Sequence, residues 1–229
     1  NMQEVLNQSL NTGVATVALR MGNSSFSKYM RAYGIGEETG IDLPNEGVGM
    51  IKNLDSGRDI EHVTASFGQG IALTPVETVR ALSSLANGGT LIDPHVGTRI
   101  RYTIGISKDL FTGSPEKRVL KKETSEKITK MLVEVVDKAL RNGAEKLKNW
   151  SVAAKTGTAQ MSNPNGGGYY SDRYLHSFFG YFPAYNPRFL VFLFMVYPKG
   201  ANYASETLTT SFMDITKFLI NYYNIPPDR

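Results

Sequence analysis

Two short runs of this 229-residue chain hold side chains that could do chemistry together. One is Lys155-Thr156-Gly157-Thr158, inside an apolar run that reads as a β-strand. An ammonium and two hydroxyls on one strand suit a ligand carboxylate, and a backbone N–H beside the glycine suits a developing oxyanion. The glycine would let a ligand approach the backbone closely. Strict strand alternation puts Lys155 and Gly157 on one face and Thr156 and Thr158 on the other, unless the edge twists. The second run is Ser9-Leu10-Asn11, between two helical segments. Taken alone each is a weak signal. Ser and Asn are common turn and cap residues, and Lys-Thr-Gly can be a strand beside a turn.

Other chemistries find no support. The chain has no cysteine, which excludes disulfides, Cys-containing zinc sites and thiol nucleophiles. His62, His95 and His176 lie far apart without metal-ligand spacing, so no metal site is expected. The composition, 41% hydrophobic and 20% charged, is that of a globular domain. The net charge of +4 comes from residues 116–148, with ten basic and six acidic side chains. Such an excess around one amphipathic helix is a solvated face, and no nucleic-acid motif accompanies it. The longest apolar run, 189–197, is about half of a membrane span.

The elements around the two runs follow from periodicity and punctuation. Residues 2–6, 12–21 and 26–33 read as helices, and 34–58 as a glycine-rich loop. Thr74-Pro75-Val76-Glu77 carries the signature of a helix start: a hydroxyl cap, proline in the first turn and glutamate three residues on. Val79, Leu82 and Ala86 should form its buried stripe, and Gly88-Gly89 its end. Residues 90–120 read as short strands and turns. A helix over 125–140 carries Ile128, Met131, Leu132, Val135, Val136 and Ala139 at helical spacing, closed by Asn142-Gly143. Strands are expected over 150–161, 175–183 and 189–197, joined by hairpins. The last is apolar on both faces and should be central and covered. A final helix places Leu208, Phe212, Ile215 and Leu219 on one face, stopped by Pro226-Pro227. Helices packed on an antiparallel sheet, an α/β (α+β) fold, are the result.

In this order, and with their flanks, the two runs resemble the transpeptidase domain of class B penicillin-binding proteins. Gln8-Ser9-Leu10-Asn11-Thr12-Gly13 is similar to the family's S-x-N segment. Tyr33-Gly34-Ile35-Gly36, Thr39-Gly40-Ile41-Asp42-Leu43-Pro44 and Glu46-x-x-Gly49 resemble its glycine-rich stretch. Ser66-Phe67-Gly68-Gln69-Gly70, Thr74-Pro75 and Ala86-Asn87-Gly88-Gly89 resemble its longest signature. Lys155–Gln160 is similar to its K-T/S-G-T-A-Q strand, and Ser177–Ala184 with Pro187-Arg188 to the strand that follows. The resemblance covers nearly all of 1–229.

That resemblance implies a penicillin-binding protein/β-lactamase-like fold, with an antiparallel sheet flanked by helices. It implies an acyl-serine D,D-transpeptidase, needing no cofactor, that acts on peptidoglycan stem peptides ending in D-Ala-D-Ala and is acylated by β-lactams. Ser9 would relay protons, Asn11 would bind the substrate amide, and Lys155 would raise the local positive potential. Thr156 and Thr158 would hold the carboxylate, with Gly157 between them, and the Thr158 N–H would form half the oxyanion hole. The family's nucleophile lies in an S-x-x-K motif well N-terminal to S-x-N. Only eight residues precede Ser9, and the chain opens at Asn1 directly in helical sequence. The expectation is a partial domain, 1–229, without its nucleophile helix and first strands, inactive and poorly folded alone, with strand 189–197 an exposed edge. Ser25-Phe26-Ser27-Lys28 and Ser114-Pro115-Glu116-Lys117 match S-x-x-K but fall after S-x-N, and are read as decoys.

The same resemblance implies an N-terminal membrane anchor upstream, an extracytoplasmic catalytic domain and a membrane glycosyltransferase of the division or elongation machinery as partner. Gln69 and Gly70 resemble a loop behind the active site, with Gly70 a backbone necessity. Gln160, Tyr169 and Tyr170 could border the cleft, whereas His176 reads as a satisfied strand residue and Trp150 as a packing anchor. The alternatives are a D,D-carboxypeptidase, β-lactamase or β-lactam sensor, a non-catalytic scaffold of a cell-wall complex, and an unrelated α+β binding module.

Overall fold

The computed structural model describes residues 1–110 and 117–229. The chain opens with three helices, α1 (Met2–Asn7), α2 (Asn11–Met21) and α3 (Asn23–Ala32). A loop with one turn of 3₁₀ helix (Lys52–Asp55) leads to α4 (Asp59–Ala65) and α5 (Pro75–Ala86). Two small antiparallel pairs follow: β1 (Thr90–Leu91) with β4 (Lys117–Arg118), and β2 (Arg99–Arg101) with β3 (Ser107–Asp109). Then come α6 (Lys122–Glu134), a π turn (Val135–Ala139) and a 3₁₀ turn (Leu140–Gly143). The main sheet is β5 (Ala153–Ser162), β6 (Tyr169–Phe182) and β7 (Phe189–Val196), and the chain ends with α7 (Ala204–Thr207) and α8 (Thr209–Tyr222).

The sheet is antiparallel in the order β5-β6-β7. Its two faces are set by the period-2 alternation of β6. Phe178 and Phe182 join Val152, Ala154, Phe212, Met213 and Ile220, so α8 covers one face. The rings of Phe178 and Phe212 stack at 4.3 Å. Tyr181, one position over, joins Leu132 and Val133 of α6 on the other face. Its hydroxyl meets Thr129 Oγ1 at 2.7 Å, and burial pushes its pKa up to about 12. Trp150 is the expected anchor: it packs on the first cluster and its indole N–H donates to the Ile225 carbonyl.

Gly180 lets the sheet and α8 pack closely. A Cβ there would lie 2.5 Å from Phe212 Cζ, 2.7 Å from Ala154 Cβ and 2.9 Å from the Ala153 carbonyl oxygen. Gly180→Ala is therefore expected to cost about 2–3 kcal/mol through overpacking, read as a lower urea midpoint. A cost under about 0.5 kcal/mol would mean the layers part more easily than this packing implies.

The glycine-rich segment is held by carboxylates that accept backbone N–H groups. Glu77, 1% exposed, accepts from the N–H of Gly36, Gly49 and Thr74 at 2.9, 3.1 and 2.7 Å. Glu46 accepts from Thr39 N, Thr39 Oγ1 and Gly40 N, and these bonds hold its pKa below the usual carboxylate value. Asp42 accepts from the N–H of Val96 and Gly97, both at 2.6 Å, which lowers its pKa likewise. The capping box at Thr74 is present as expected, and Glu77 serves both it and the loop.

Several expectations need correction. Among the described residues β6, not β7, is the central strand. β7 lies at the edge, and Phe194, Met195 and Val196 are 51%, 42% and 56% exposed. An apolar run fits a covered strand by composition, but strand order is set by pairing. The strand expected over 175–183 begins at Tyr169. In α5 the fully buried positions are Glu77, Ala81 and Ser84, while Val79, Leu82 and Ala86 are half-buried. The helix lies between the glycine-rich loop and α6, so both of its sides are covered. In α8 the buried stripe includes Met213, Thr216 and Ile220 beside Phe212, a rotation of the expected face. Helix α4 falls in a stretch given no helix by periodicity.

Candidate active site

Ser9 lies in the short turn between α1 and α2. The Leu10 N–H bonds the Val5 carbonyl at 3.0 Å, and Ser9 takes a positive φ of 51°. A non-glycine residue in that region is strained, and such strain concentrates at functional sites. Gly13 allows the two helices to close, since a Cβ there would lie 2.5 Å from Val5 Cγ2. Helix α1 is tied to α6 by Gln3 Nε2, which donates to the Met131 carbonyl at 3.0 Å.

β5 is the other edge strand, and its rim meets this helical corner. Lys155 Nζ donates to Ser9 Oγ at 2.5 Å and to the Thr156 carbonyl at 2.9 Å. The two runs picked out by residue type thus touch across 146 positions of sequence. Burial lowers the Lys155 pKa from the usual 10.5 to about 8. Asn11 opens α2, and its side chain makes no hydrogen bond among the described residues. A cleft of about 910 Å³ is lined by Ser9, Asn11, Lys155, Thr156, Gly157 and Thr158 together.

Alternation does not separate the ammonium from the hydroxyls as a flat strand would. All four residues of the strand run line one cleft, because the rim of an edge strand is open to it. Thr158 Oγ1 accepts the Ala204 N–H at 3.0 Å, which leaves its own proton free to donate. Gly157 lines the cleft, and a Cβ there would lie 2.6 Å from Ser177 Oγ on β6, so the glycine also makes room for the neighbouring strand.

The cleft also holds residues the motifs did not indicate. Ser66 and Phe67 line it from the stretch after α4; Asn202, Tyr203, Ala204 and Ser205 line it from the entry to α7; Arg141 and Tyr174 are among its further lining residues. Only Ser66-Phe67 lay in a recognised block. For 202–205 the local signal is Glu206, whose carboxylate accepts the N–H groups of Asn202 and Tyr203.

Other candidates lie elsewhere. Gln160, Tyr169 and Tyr170 are not among the lining residues. Gln160 donates instead to the Tyr170 carbonyl, and the Arg173 guanidinium lies 4.0 Å over the Tyr170 ring. Gln69 is outside the lining too, and Gly70 has a positive φ of 73°, in keeping with a backbone role. His176 is fully buried behind β5; its Nδ1 meets Thr207 Oγ1 at 2.9 Å, while Nε2 has no partner among the described residues. Ser25 and Lys28 are exposed on α3, away from the cleft. Ser114-Pro115-Glu116 lies outside the described residues. No group of three or more His, Cys, Asp or Glu among the described residues could hold a metal ion. None of their helices is long and apolar enough to cross a membrane.

Comparison with known proteins matches residues 1–217 to the penicillin binding protein transpeptidase domain. Stage V sporulation protein D of Bacillus subtilis is 35% identical over 86% of this chain and 30% of its own length. Penicillin-binding protein PbpB of Mycolicibacterium smegmatis is 29% identical over 97% of this chain and 35% of its own. Penicillin binding protein 3 from Mycobacterium tuberculosis, solved with aztreonam, superposes with a TM-score of 0.88 at 25% identity, over 99% of this chain and 52% of that one. The chain therefore spans about a third of the length of these curated relatives.

Proposed function

The chain belongs to the penicillin-binding protein transpeptidase family, in its class B, and on that premise we propose that it is part of a peptidoglycan D,D-transpeptidase working through an acyl-serine. The observation that supports this best is the Lys155 Nζ–Ser9 Oγ contact at 2.5 Å, in one cleft with Asn11, Thr156 and Thr158. The substrate would be a stem peptide ending in D-Ala-D-Ala. Its terminal carboxylate would lie against the Thr156 and Thr158 hydroxyls, in the field of the Lys155 ammonium.

The nucleophilic serine and its S-x-x-K lysine would be supplied from upstream of residue 1. The serine hydroxyl loses its proton to that lysine and its oxygen bonds to the penultimate carbonyl carbon. The oxyanion is held by the Thr158 N–H and the serine's own N–H. The C–N bond then breaks as Ser9 passes a proton to the departing D-Ala amine and takes up the one held by the upstream lysine. An acceptor amine from a second strand attacks the ester carbonyl, the C–O bond to the serine breaks, and the proton the amine loses is returned to the serine oxygen, leaving the cross-linked amide and the free serine. Asn11 would hold the substrate amide throughout. β-Lactams would enter by the same attack and remain as a slow ester; the mycobacterial relative solved with aztreonam and with ampicillin supports that reading.

The 229 residues alone would not acylate. In the whole protein the domain would stand outside the cytoplasmic membrane on an upstream anchor, working beside a membrane glycosyltransferase. The test is release of D-Ala from an acyl-D-Ala-D-Ala peptide by a form extended upstream, with and without an acceptor amine. Amide product supports a transpeptidase. Hydrolysis alone would favour a carboxypeptidase, and no turnover would favour the scaffold.

The Lys155 charge gives the site a pH dependence. Its ammonium attracts a carboxylate only while protonated, so N-acetyl-D-Ala-D-Ala should bind the extended protein more weakly as pH rises through about 8. Titration calorimetry at pH 6.5 and 9.5 checks this; equal affinity at both would contradict it.

A further inference from the structure

The cleft has a second cation. Of its lining side chains only Lys155 and Arg141 are charged, and none is acidic. Arg141 follows the π turn at the end of α6, and with Asn142 it takes positive φ values of 46° and 57°. Asn142 adopts that region readily, whereas for Arg141 it costs about 1–2 kcal/mol. π turns and such strain recur at functional sites.

The arginine is held in place from behind. Its Nη1 donates to Glu145 Oε1 at 3.1 Å and to Thr210 Oγ1 at 3.2 Å, and its Nη2 donates to the Ser205 carbonyl at 3.1 Å. A guanidinium has five N–H donors. Three are used among the described residues, leaving Nε–H and one on Nη2. Those two donors form the side edge that grips a carboxylate with two parallel bonds. The side chain is 37% exposed, against 16% for Glu145, so the carboxylate partner is the more enclosed of the pair. Lys155 is already committed to Ser9, and the two threonine hydroxyls to the terminal carboxylate.

We propose that Arg141 is a second anion subsite, one that takes a carboxylate carried further back on the acyl peptide. The substrate class is then an acyl-D-Ala-D-Ala peptide with two carboxylates rather than one. This rests on the acyl-peptide reading above and adds a specificity determinant to it. Arg141 is not placed at the reacting atoms.

The test uses the upstream-extended protein and pairs of acyl-D-Ala-D-Ala peptides that differ only by a side-chain carboxylate against its carboxamide. The differing residue is placed in turn at each of the three positions before D-Ala-D-Ala. At one position the acid should bind about tenfold more tightly than the amide, the size expected for one charge-assisted contact. Arg141→Gln should remove that preference, and Arg141→Lys should restore part of it. Acid and amide binding alike at every position would overturn the proposal. So would a preference that survives in Arg141→Gln, or an equal loss for both peptides, which would mark the arginine as structural. Binding of neither peptide to the unaltered protein would remove the acyl-peptide reading, and this proposal with it.

Discussion

Replacing Lys155 by methionine is expected to cut β-lactam acylation of the upstream-extended protein by a factor of at least about a hundred, while the folded state becomes more stable at neutral pH. The first effect follows from position. The ammonium is bonded to Ser9 and stands in the cleft with the two threonine hydroxyls, so its removal takes away both the positive field and the fixed orientation of Ser9. The second follows from burial, which lowers the lysine pKa from 10.5 to about 8. Between those two values the unfolded chain holds a proton the folded chain has released, so stability rises with pH across that window. Below about 8 the folded state carries the whole desolvation cost, on the order of 3 kcal/mol at most. Methionine is close in length and has no charge to desolvate. Urea midpoints at pH 7 and acylation rates on the same protein check both halves. A variant that is less stable and acylates normally would contradict the account. Lys155→Arg keeps the positive charge but should not rescue acylation fully, because the wider guanidinium does not fit the ammonium's place against Ser9 Oγ and the Thr156 carbonyl.

Replacing Glu77 by alanine should have the largest effect on stability, a loss of about 3–5 kcal/mol. Three backbone N–H groups would lose their acceptor together, and two of them belong to glycines that arrange the loop after α3. Gly49 shows how closely that loop is packed: a Cβ there would lie 2.5 Å from the Ala72 carbonyl oxygen and 2.8 Å from Glu77 Oε2. Glu77→Gln keeps one acceptor oxygen and should cost less. Glu77 does not line the cleft, so whatever folded population remains should still bind ligand. A loss under about 1 kcal/mol in the alanine variant would mean that water replaces the carboxylate, and that the loop is not organised by it.

The sequence made the Ser9–Asn11 and Lys155–Thr158 pairing legible because each run is a cluster of reactive types, and their order carried meaning. It made the Thr74 cap legible because that motif closes within three residues. It could not make the rest of Glu77's work legible, since Gly36 and Gly49 lie 41 and 28 positions away. Apolar spacing did not give the phase of α5 or α8, because their buried positions include polar residues, Glu77 and Ser84 in the first and Thr209 and Thr216 in the second. The apolar run of β7 suggested a covered strand, but composition carries no information on which neighbour it pairs with. At Arg141, Asn142-Gly143 read as an ordinary helix stop. The positive φ at Asn142 and Gly143 fits that reading, but the π turn and the positive φ of Arg141 have no local signature in the sequence.

If this cleft serves an acyl-serine supplied from upstream of residue 1, incubation with benzylpenicillin followed by intact-mass spectrometry, on the 229-residue chain and on a form extended upstream, should show an adduct only on the extended form, mapped by peptide analysis to a serine before Asn1. An adduct on the short chain at Ser25 or Ser114, or none on a folded extended form, would contradict it.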